Sequence, residues 1–460
     1  MTFKIIEFIL PKRDSRGRKI GKNVLLLGLF QSISIISSFL LVPMTINYIS
    51  TSQYGIWLTI SSIVGWFSLV DIGLGAGLRN RLTEALAKND NVLARKYVST
   101  TYIMLGIIVL FLFFIFAISN MYIPWDKVLN QSEDMSAMLA STMFVVVSFF
   151  ALRLIVQLIG TILTAHLMPA ASVGITTCST PVFPLSSNVI ILFIIFVLSR
   201  TVTGDLYTLS WVLSSVPVLL YIIVSVFLFL GKFKHIRPSF LFFDRTNIKT
   251  LLSLGVGFFV INISTIVLFQ TSNILIIQLF DNKGVVVYNL AYKLFSIMTV
   301  LFSILIQPFW TGYTDAWVKK DFDWIKGAIG KLMLIWKLLV GLGGIMFILS
   351  PFIYKIWVGD NIDIPWGLSF LVFLYFSIHC YGGVFNIFIN GTGKIRLQMC
   401  ALGMVTFVYI PLVLFMVKFL KLGLISIPLS LIFSNFYSLF VARMQYKKLI
   451  SGTAKGIWNK

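Results

Sequence analysis

The sequence predicts an all-α membrane protein with about twelve transmembrane helices, and three observations support this. Of its 460 residues, 58% are hydrophobic and only 12% are charged, whereas a soluble domain carries roughly a quarter charged residues. The apolar residues fall into runs near the ~20 residues that span a bilayer as a helix. These runs are long and continuous, which excludes the short alternating strands of a membrane β-barrel.

The positions of the basic residues predict the orientation of these spans. Cytoplasmic loops of membrane proteins carry an excess of Lys and Arg. Most of the 37 lysines and arginines fall on one side if both termini are cytoplasmic. The net charge of +21 is then explained by topology and by attraction to anionic lipid, so no nucleic-acid partner is expected. The twelve predicted spans are 23–47, 54–76, 98–120, 140–165, 174–199, 207–231, 250–275, 284–310, 328–350, 366–389, 397–417 and 422–441.

An internal repeat divides the chain into two halves. The motif Thr83-Glu84-Ala85-x-x-Lys88-x-Asp90 recurs 231 residues later as Thr314-Asp315-Ala316-x-x-Lys319-x-Asp321, and Gly160-Thr161 recurs at the same offset as Gly391-Thr392. Each half holds six spans, an even number, so the sequence predicts two parallel six-helix bundles related by an axis along the membrane normal. The predicted segments are a basic cytoplasmic arm (1–22), an N-terminal bundle (23–231), a basic cytoplasmic linker (232–249), a C-terminal bundle (250–441) and a basic cytoplasmic tail (442–460).

Four titratable side chains inside the spans are candidates for a substrate-binding cavity: Arg153, Lys293, Lys337 and His379. A charge in mid-membrane costs about 2.5–3.5 kcal/mol, so it usually faces a wet cavity or a partner. The spans contain a single acid, Asp71. The interior is therefore net cationic, which suits a pyrophosphate or an acidic sugar. Two alternatives stay open: Lys337 could snorkel or pair at a bundle edge, and His379 could be a satisfied packing residue.

The cytoplasmic end of the second span combines an acid, small residues and basic residues. Asp71 and Arg79 are about 12 Å apart along a helix, so they cannot pair within it. Gly73 and Gly77 form a G-x-x-x-G face that allows close helix approach. Together with Arg79 and Arg81, these residues are predicted to form a cytoplasmic gate or hinge. The alternative is a helix end with close packing and basic anchoring.

A second candidate gate segment ends the tenth span on the cytoplasmic face. It contains Asn386, Asn390 and Lys394 around small residues, which suits a hinge or a headgroup contact. An ordinary helix C-terminus with a basic anchor explains the same residues.

Catalytic and cofactor signatures do not occur in the sequence. It has no His, Cys or carboxylate cluster with metal-ligand spacing, no Ser/His/Asp set on its loops and no P-loop. We therefore expect no enzyme activity, no metal and no cofactor. Energy for transport would come from an ion gradient (H⁺ or Na⁺), the membrane potential or removal of substrate outside.

Two patches resemble the Wzx-type flippases that export lipid-linked polysaccharide repeat units. They are Tyr54-Gly55-Ile56-Trp57 with Gly65-Trp66-Phe67-Ser68-Leu69-Val70-Asp71-Ile72-Gly73-Leu74-Gly75-x-Gly77-Leu78-Arg79-Asn80, and Phe385-Asn386-Ile387-Phe388-Ile389-Asn390-Gly391-Thr392-Gly393-Lys394-Ile395-Arg396. The resemblance implies the multidrug/oligosaccharidyl-lipid/polysaccharide exporter (MOP) superfamily and a MATE-like transporter fold, with two six-helix bundles around a central cavity.

The resemblance also implies a function, a location and partners. Wzx-type proteins move undecaprenyl-pyrophosphate-linked oligosaccharides from the cytoplasmic to the outer leaflet of the bacterial inner membrane, for O-antigen or capsule synthesis. Membrane lipids and the polymerase and chain-length proteins of the same pathway are then expected partners.

Three other classes of protein compete with the flippase interpretation. A cation-coupled multidrug antiporter of the same fold is the nearest, although cationic drugs favour acidic cavities and Asp71 is the single acid. A membrane enzyme such as a polymerase or ligase needs an external catalytic region, for which the short external loops leave little room. A structural scaffold does not account for several charges inside the membrane.

Overall fold

A computed structural model describes residues 33, 35–67, 74–87, 89–166, 187–201, 204–248, 268, 270–360, 362–435 and 437–459 of the chain. Within those ranges all regular secondary structure is helical. The helices are α1 (Ile35–Ile49), α2 (Thr51–Trp66), α3 (Leu74–Ala87), α4 (Asn91–Ser119), α5 (Trp125–Val128), α6 (Ser136–Val156), α7 (Leu158–Ala165), α8 (Ser187–Thr201), α9 (Leu206–Leu230), α10 (270–279), α11 (Asn282–Val318), α12 (Phe322–Ile348), α13 (Ser350–Val358), α14 (Trp366–Thr392), α15 (Arg396–Lys418), α16 (Ser426–Ser434) and α17 (Ala442–Ile450).

Eight stretches of the described chain are long and apolar enough to cross a membrane. They lie in α4, α6 with α7, α9, α11, α12, α14, α15, and the run from 423 to 450 that contains α16 and α17. Each coincides with a predicted span. Two shorter apolar helices, Ile35–Ile49 and Ser187–Arg200, match parts of two more, and the predicted spans 54–76 and 250–275 extend outside the described residues.

By their contacts, the residues divide into two compact units. Unit 1 comprises Met1–Ser50 and Phe67–Phe259, and unit 2 comprises Thr51–Trp66 and Val260–Lys460. The predicted domain bounds place the second span in the N-terminal bundle, whereas its first part, α2, packs within unit 2.

Unit 1 has an apolar core where α3 packs against α4 and α7. Leucines one helical turn apart on α3 face this core, and Val98, Ile159 and Ile162 meet them from the other two helices. All of these side chains are buried. α3 connects directly to α4 through the turn at Asn89. The packing of α3 against both helices therefore holds the cytoplasmic ends of α4 and α7 together.

In unit 2, α2 is held by a close backbone approach and by buried amide–hydroxyl hydrogen bonds. Gly55 lies directly against the backbone of Asn282, where any side chain would overlap the carbonyl oxygen. Deeper along the helix, Asn273 Nδ2 donates to Ser62 Oγ at 2.8 Å, and Asn289 Nδ2 donates to Asn273 Oδ1 at 2.7 Å. Small residues and interhelical polar contacts are what associates helices in lipid, so these contacts explain why α2 belongs to unit 2.

The internal repeat is visible in the helix boundaries. α2 begins at Thr51 and α11 at Asn282, which are 231 residues apart. α3 ends at Ala87 and α11 at Val318, with the same separation. Within the described residues, α2 and α3 of the first half therefore correspond to the two ends of α11 in the second half.

The turn after each repeated motif has the same geometry in both halves. Asn89 and Lys320 have φ of 56° and 57°, in the left-handed region. Asp90 then caps α4 by accepting from the Leu93 N–H at 2.9 Å, and Asp321 caps α12 by accepting from the Trp324 N–H at 3.1 Å. A carboxylate at the N-cap satisfies an otherwise unpaired helix N–H, which explains why the motif ends in Asp in both copies.

Substitution of Gly382 should destabilise unit 2. A Cβ at position 382 on α14 would overlap Ser438 Cβ and lie 2.9 Å from Ser438 Cα. Because overpacking in a close-packed contact costs about 1–3 kcal/mol, we expect Gly382→Ala to lower the melting temperature of the purified protein. Gly330→Ala is the matched control, since open space surrounds that helical position and Ala is about 1 kcal/mol better than Gly in a helix. Equal melting temperatures for the two variants would contradict the tight packing.

Candidate functional site

α11 carries a polar stripe at helical spacing along its membrane-embedded part. Its members are half-buried and lie three, four or seven residues apart, so they share one face of the helix. The opposite side packs in the core of unit 2 through buried Leu294, Phe295 and Met298. The polar stripe consists of Asn289, Lys293, Ser296 and Ser303.

Lys293 lies in the middle of this stripe, where the sequence predicts a cavity residue. Its neighbours one turn away are Asn289 and Ser296 rather than leucines, and the Ser296 hydroxyl donates to the Lys293 carbonyl at 2.8 Å. Polar neighbours on a partly exposed face are typical of a helix surface in contact with water. The position of Lys293 therefore supports a water-facing role.

α14 has a similar polar stripe in its cytoplasmic half. His379, Gly383, Asn386 and Asn390 follow spacings of four, three and four residues. Of the residues from 382 to 391, Gly383, Asn386 and Asn390 are partly exposed, and all the others are buried. These three residues therefore form the partly exposed surface of this segment. A helix that exposed this surface to lipid would be expected to carry apolar residues there. Gly383 itself lies against α11, since a Cβ there would be 2.7 Å from the Phe302 ring, so contact of the two asparagines with water or a polar ligand stays a prediction.

The two asparagines of this stripe hold unused hydrogen-bond acceptors. Neither Asn386 Oδ1 nor Asn390 Oδ1 has a donor among the described residues, although both atoms are buried. Buried amide oxygens normally accept a hydrogen bond. A ligand with hydroxyl groups, such as a sugar, would supply the missing donors.

His379 combines a polar face with aromatic packing. Its ring lies 5.9 Å from the ring of Tyr375, which in turn packs edge-on against Phe376 at 5.2 Å. Tyr292 of α11 meets Phe376 at 4.9 Å. These contacts tie the polar stripes of α11 and α14 to one rigid aromatic cluster in unit 2.

Arg153 lies on α6 in unit 1 and is half-buried. It shares a helix face with Gln157, one turn further on, and its helix packs against α9. In the described part of the chain no carboxylate pairs with Arg153. Since a guanidinium suits phosphate and carboxylate groups, contact of Arg153 with an anionic ligand stays a prediction.

Lys337 has different surroundings from Lys293. It lies about 22 Å along α12, and its side chain is exposed next to Leu334 and Leu338, which are 52% and 66% exposed. An exposed leucine-rich face of a membrane helix is expected to contact lipid. The structure thus favours the bundle-edge alternative for Lys337 over the predicted cavity position.

The predicted gate at the end of the second span is only partly described. Asp71 and Gly73 lie outside the described residues. Gly77 is buried in α3, and Arg79 is exposed. Arg81 pairs with Glu84 one turn later, with 2.9 Å between Nη1 and Oε2. The gate function of these residues stays a prediction.

The cytoplasmic end of α14 is a glycine-terminated helix. Gly393 has φ of 73°, and its N–H donates to the Asn390 carbonyl. The next carbonyl, that of Lys394, accepts from the fully buried Gln445 Nε2 of α17 at 2.9 Å. An αL glycine is the common end of a helix, so the alternative of an ordinary C-terminus applies to Gly393 and Lys394. Asn386 and Asn390 belong instead to the polar stripe.

The isolated charges in the sequence identify Lys293 but not its uncharged neighbours on the α11 stripe. Asn289 and Ser296 were not predicted, although their spacing relative to Lys293 follows the helical period and is readable in the sequence. Among the residues that the structure describes, no group of three or more His, Cys, Asp or Glu side chains could hold a metal ion.

Comparison with known families identifies the protein class. The family described as polysaccharide biosynthesis protein matches residues 20–309. Because this match covers more than half of the chain, the protein belongs to that family. The predicted resemblance to Wzx-type polysaccharide exporters is confirmed, and the protein is a multi-pass protein of the bacterial inner membrane.

Two relatives are similar over most of the chain. A candidate O-antigen export protein of Yersinia pseudotuberculosis is 23% identical over 372 residues, which cover 79% of this chain and 81% of the relative. A candidate O-antigen transporter of Salmonella typhimurium (strain LT2) is 24% identical over 345 residues, covering 73% and 74% of the two chains. Both are named for export or transport, not for an enzymatic activity.

Solved structures confirm the fold. A multidrug resistance MATE family transporter of the MOP superfamily matches in its inward-facing conformation with a TM-score of 0.71 at 13% identity, covering 93% of this chain and 95% of that chain. The outward-facing conformation of a MATE family transporter matches with a TM-score of 0.62 at 14% identity, covering 95% and 97%. The prediction of an all-helical MATE-like fold is therefore confirmed.

Cysteine labelling should distinguish the polar stripes from the lipid-facing surface. In a variant that lacks the native cysteines, we expect Asn386→Cys and Ser296→Cys to react with a charged methanethiosulfonate reagent in membranes. A thiol reacts as the thiolate, which needs water, so Phe407→Cys on α15 should stay unmodified although Phe407 is 83% exposed. Val384→Cys is the buried control. Labelling of Phe407→Cys at the rate of Asn386→Cys would show that exposure alone, and not a wet face, governs the reaction.

Proposed function

We propose that this protein is a flippase for undecaprenyl-pyrophosphate-linked oligosaccharide repeat units. It would move them from the cytoplasmic to the outer leaflet of the inner membrane for O-antigen or capsular polysaccharide synthesis. The main support is membership of the polysaccharide biosynthesis protein family, together with relatives named for O-antigen export over about three quarters of the chain. The MATE-like fold is a transporter fold, which agrees with this assignment.

The chemistry of the membrane-embedded polar residues fits the headgroup of such a substrate. Each of the two intramembrane cations, Arg153 and Lys293, would contact the pyrophosphate at some stage of transport, because charge-assisted hydrogen bonds to phosphate oxygens are the strong ones. The free acceptors of Asn386 and Asn390 would take hydrogen bonds from sugar hydroxyls. His379, on the same stripe, would lie beside the sugar. In this proposal the polyprenyl tail stays in lipid.

Translocation would proceed by alternating access of the polar faces to the two sides of the membrane. The paired glycines and basic residues at the cytoplasmic ends of the second and tenth spans would open and close the cytoplasmic side. H⁺ or Na⁺ is the candidate coupling ion, and a polymerase and chain-length proteins would receive the exported unit. Membrane lipids surround the tail throughout.

The remaining alternative is a cation-coupled multidrug antiporter. The solved MATE structures support it through the fold, but the spans of this chain supply one acid against several cations. An acidic site is what a cationic drug requires, so the alternative depends on Asp71 alone.

Alanine variants of the two cations should block export of surface polysaccharide. A hydrogen bond to a charged group contributes about 1.5–3 kcal/mol, and about 1.4 kcal/mol corresponds to a tenfold change. We therefore expect Arg153→Ala and Lys293→Ala, each rescuing a deletion strain, to reduce surface polysaccharide about tenfold or more, with lipid-linked repeat units accumulating in the cytoplasmic leaflet. Protein abundance in the membrane is measured in the same cells.

Lys337→Ala is the matched control, since it removes the same type of charge from the leucine-rich face of α12. It should export normally. Normal export by both Arg153→Ala and Lys293→Ala would refute the assigned headgroup contacts. Intact polysaccharide in the deletion strain itself, with heightened drug sensitivity, would replace the flippase function by the antiporter function.

A further inference from the structure

The linker between α9 and the second half of the chain folds into two short 3₁₀ turns, Lys234–Ile236 and Phe240–Phe242. The first turn is anchored by Phe233 and Ile236, which are buried in the core of unit 1. The second turn projects its tip outward. Phe240 is 85% exposed and Leu241 is 92% exposed, and these two residues are called the Phe240–Leu241 tip.

The tip is held in place by polar contacts from the start of α4. The Ser239 N–H donates to Ser99 Oγ, and the Asp244 N–H donates to Thr100 Oγ1, both at 3.1 Å. Lys96 Nζ lies 3.1 Å from Asp244 Oδ2. Contacts of this kind occur on both sides of the tip, at Ser239 and at Asp244. They hold the tip in its exposed position on the surface of unit 1.

A cation–π contact adds to this support. The guanidinium of Arg95 lies 4.0 Å from the centroid of the Phe242 ring, and its Nε donates to the Arg237 carbonyl at 3.1 Å. Phe242 is therefore covered by α4, whereas Phe240 and Leu241 in the same turn are not. Removal of these two apolar side chains from water is favourable, so a surface that covers them would be stabilised.

The level of the tip along α4 points to the membrane interface. Ser99 and Thr100, which hold the linker, lie at the start of the apolar part of this helix. The exposed apolar residues Ile107, Leu110 and Phe111 begin about 10 Å further on. A turn about 10 Å outside the lipid-facing surface lies at the depth of the headgroups, where aromatic and aliphatic side chains anchor peripheral segments.

The charge around the tip selects the kind of lipid. Lys234, Arg237 and Arg245 are all exposed beside it, whereas the acid of this segment, Asp244, is bound by Lys96. The pKa of Asp244 is held below its usual value first by hydrogen bonds from Thr246 and then by that of Lys96. The carboxylate therefore stays ionised and paired at neutral pH, so that the surface around the tip stays basic.

We infer that the Phe240–Leu241 tip inserts among the anionic headgroups of the cytoplasmic leaflet, with the flanking basic side chains bound to lipid phosphates. Lys and Arg side chains near an anionic membrane surface are attracted to it. A second copy of this chain is a poor occupant, because it would bring the same basic surface against itself. The anchor fixes the cytoplasmic start of α4 relative to the bilayer, and it does not depend on the transported substrate.

Fluorescence at position 241 tests this inference. Leu241→Cys, in a background of Cys178→Ser, Cys380→Ala and Cys400→Ser, is labelled with the polarity-sensitive dye NBD and reconstituted in nanodiscs of phosphatidylcholine with phosphatidylglycerol. We expect a blue-shifted emission and severalfold stronger quenching by lipids spin-labelled near the headgroup than for dye at Thr453→Cys, an exposed position in the C-terminal tail.

Two comparisons complete the experiment. The double substitution Lys234→Gln and Arg237→Gln should weaken the lipid quenching at position 241, as should replacement of phosphatidylglycerol by phosphatidylcholine. Quenching by aqueous iodide equal to that at position 453, with no effect of spin-labelled lipid, would overturn the inference. Shielding that appears only with two copies per nanodisc, without lipid quenching, would overturn it as well and assign the tip to a protein contact. Monodisperse elution of each labelled variant confirms folding.

Discussion

The position of α2 within unit 2 depends on a short chain of hydrogen bonds between two asparagine amides and a serine hydroxyl inside the membrane. Asn273 donates to Ser62 and accepts from Asn289, so removal of the Asn273 amide breaks both hydrogen bonds at once. An unpaired polar group in such a place costs about 1–3 kcal/mol. The same Asn289 belongs to the polar stripe that contains Lys293. The interaction that holds α2 in unit 2 therefore also orients the face of α11 on which the proposed headgroup contact depends.

The residue types on an exposed helix face indicate whether that face contacts water or lipid, whereas the exposed fraction of its side chains does not. Lys293 and Lys337 are the same residue type, both within membrane helices, yet one lies between Asn289 and Ser296 and the other between leucines. On the α11 stripe the Asn289 amide and the Ser296 hydroxyl donate to acceptors within unit 2, whereas leucine side chains offer a lysine no polar partner. This contrast makes Lys337→Ala an informative control.

The repeat sets the same helix boundaries and the same N-caps in both halves of the chain. Helix starts at 51 and 282, helix ends at 87 and 318, and N-caps at Asp90 and Asp321 all preserve the offset of 231 residues. The caps persist because every helix N-terminus needs acceptors for its free N–H groups. Between these fixed points the residue types differ, since buried Phe302 of α11 stands at the position that corresponds to Asp71 in the first half. The acid of the second span therefore has no counterpart in the other half.

The sequence by itself determined the membrane class, the approximate spans, the repeat and the set of charges inside the membrane, because these follow from local composition and helical length. It also identified Arg153, Lys293, His379, Asn386 and Asn390 as candidates. Only the tertiary structure showed that α2 packs in unit 2, that Asn289 donates to Asn273, and that the face of α12 with Lys337 is exposed. These facts depend on which helix faces meet, and a helix face gains its partner only through close packing and hydrogen bonds with residues far away in the chain.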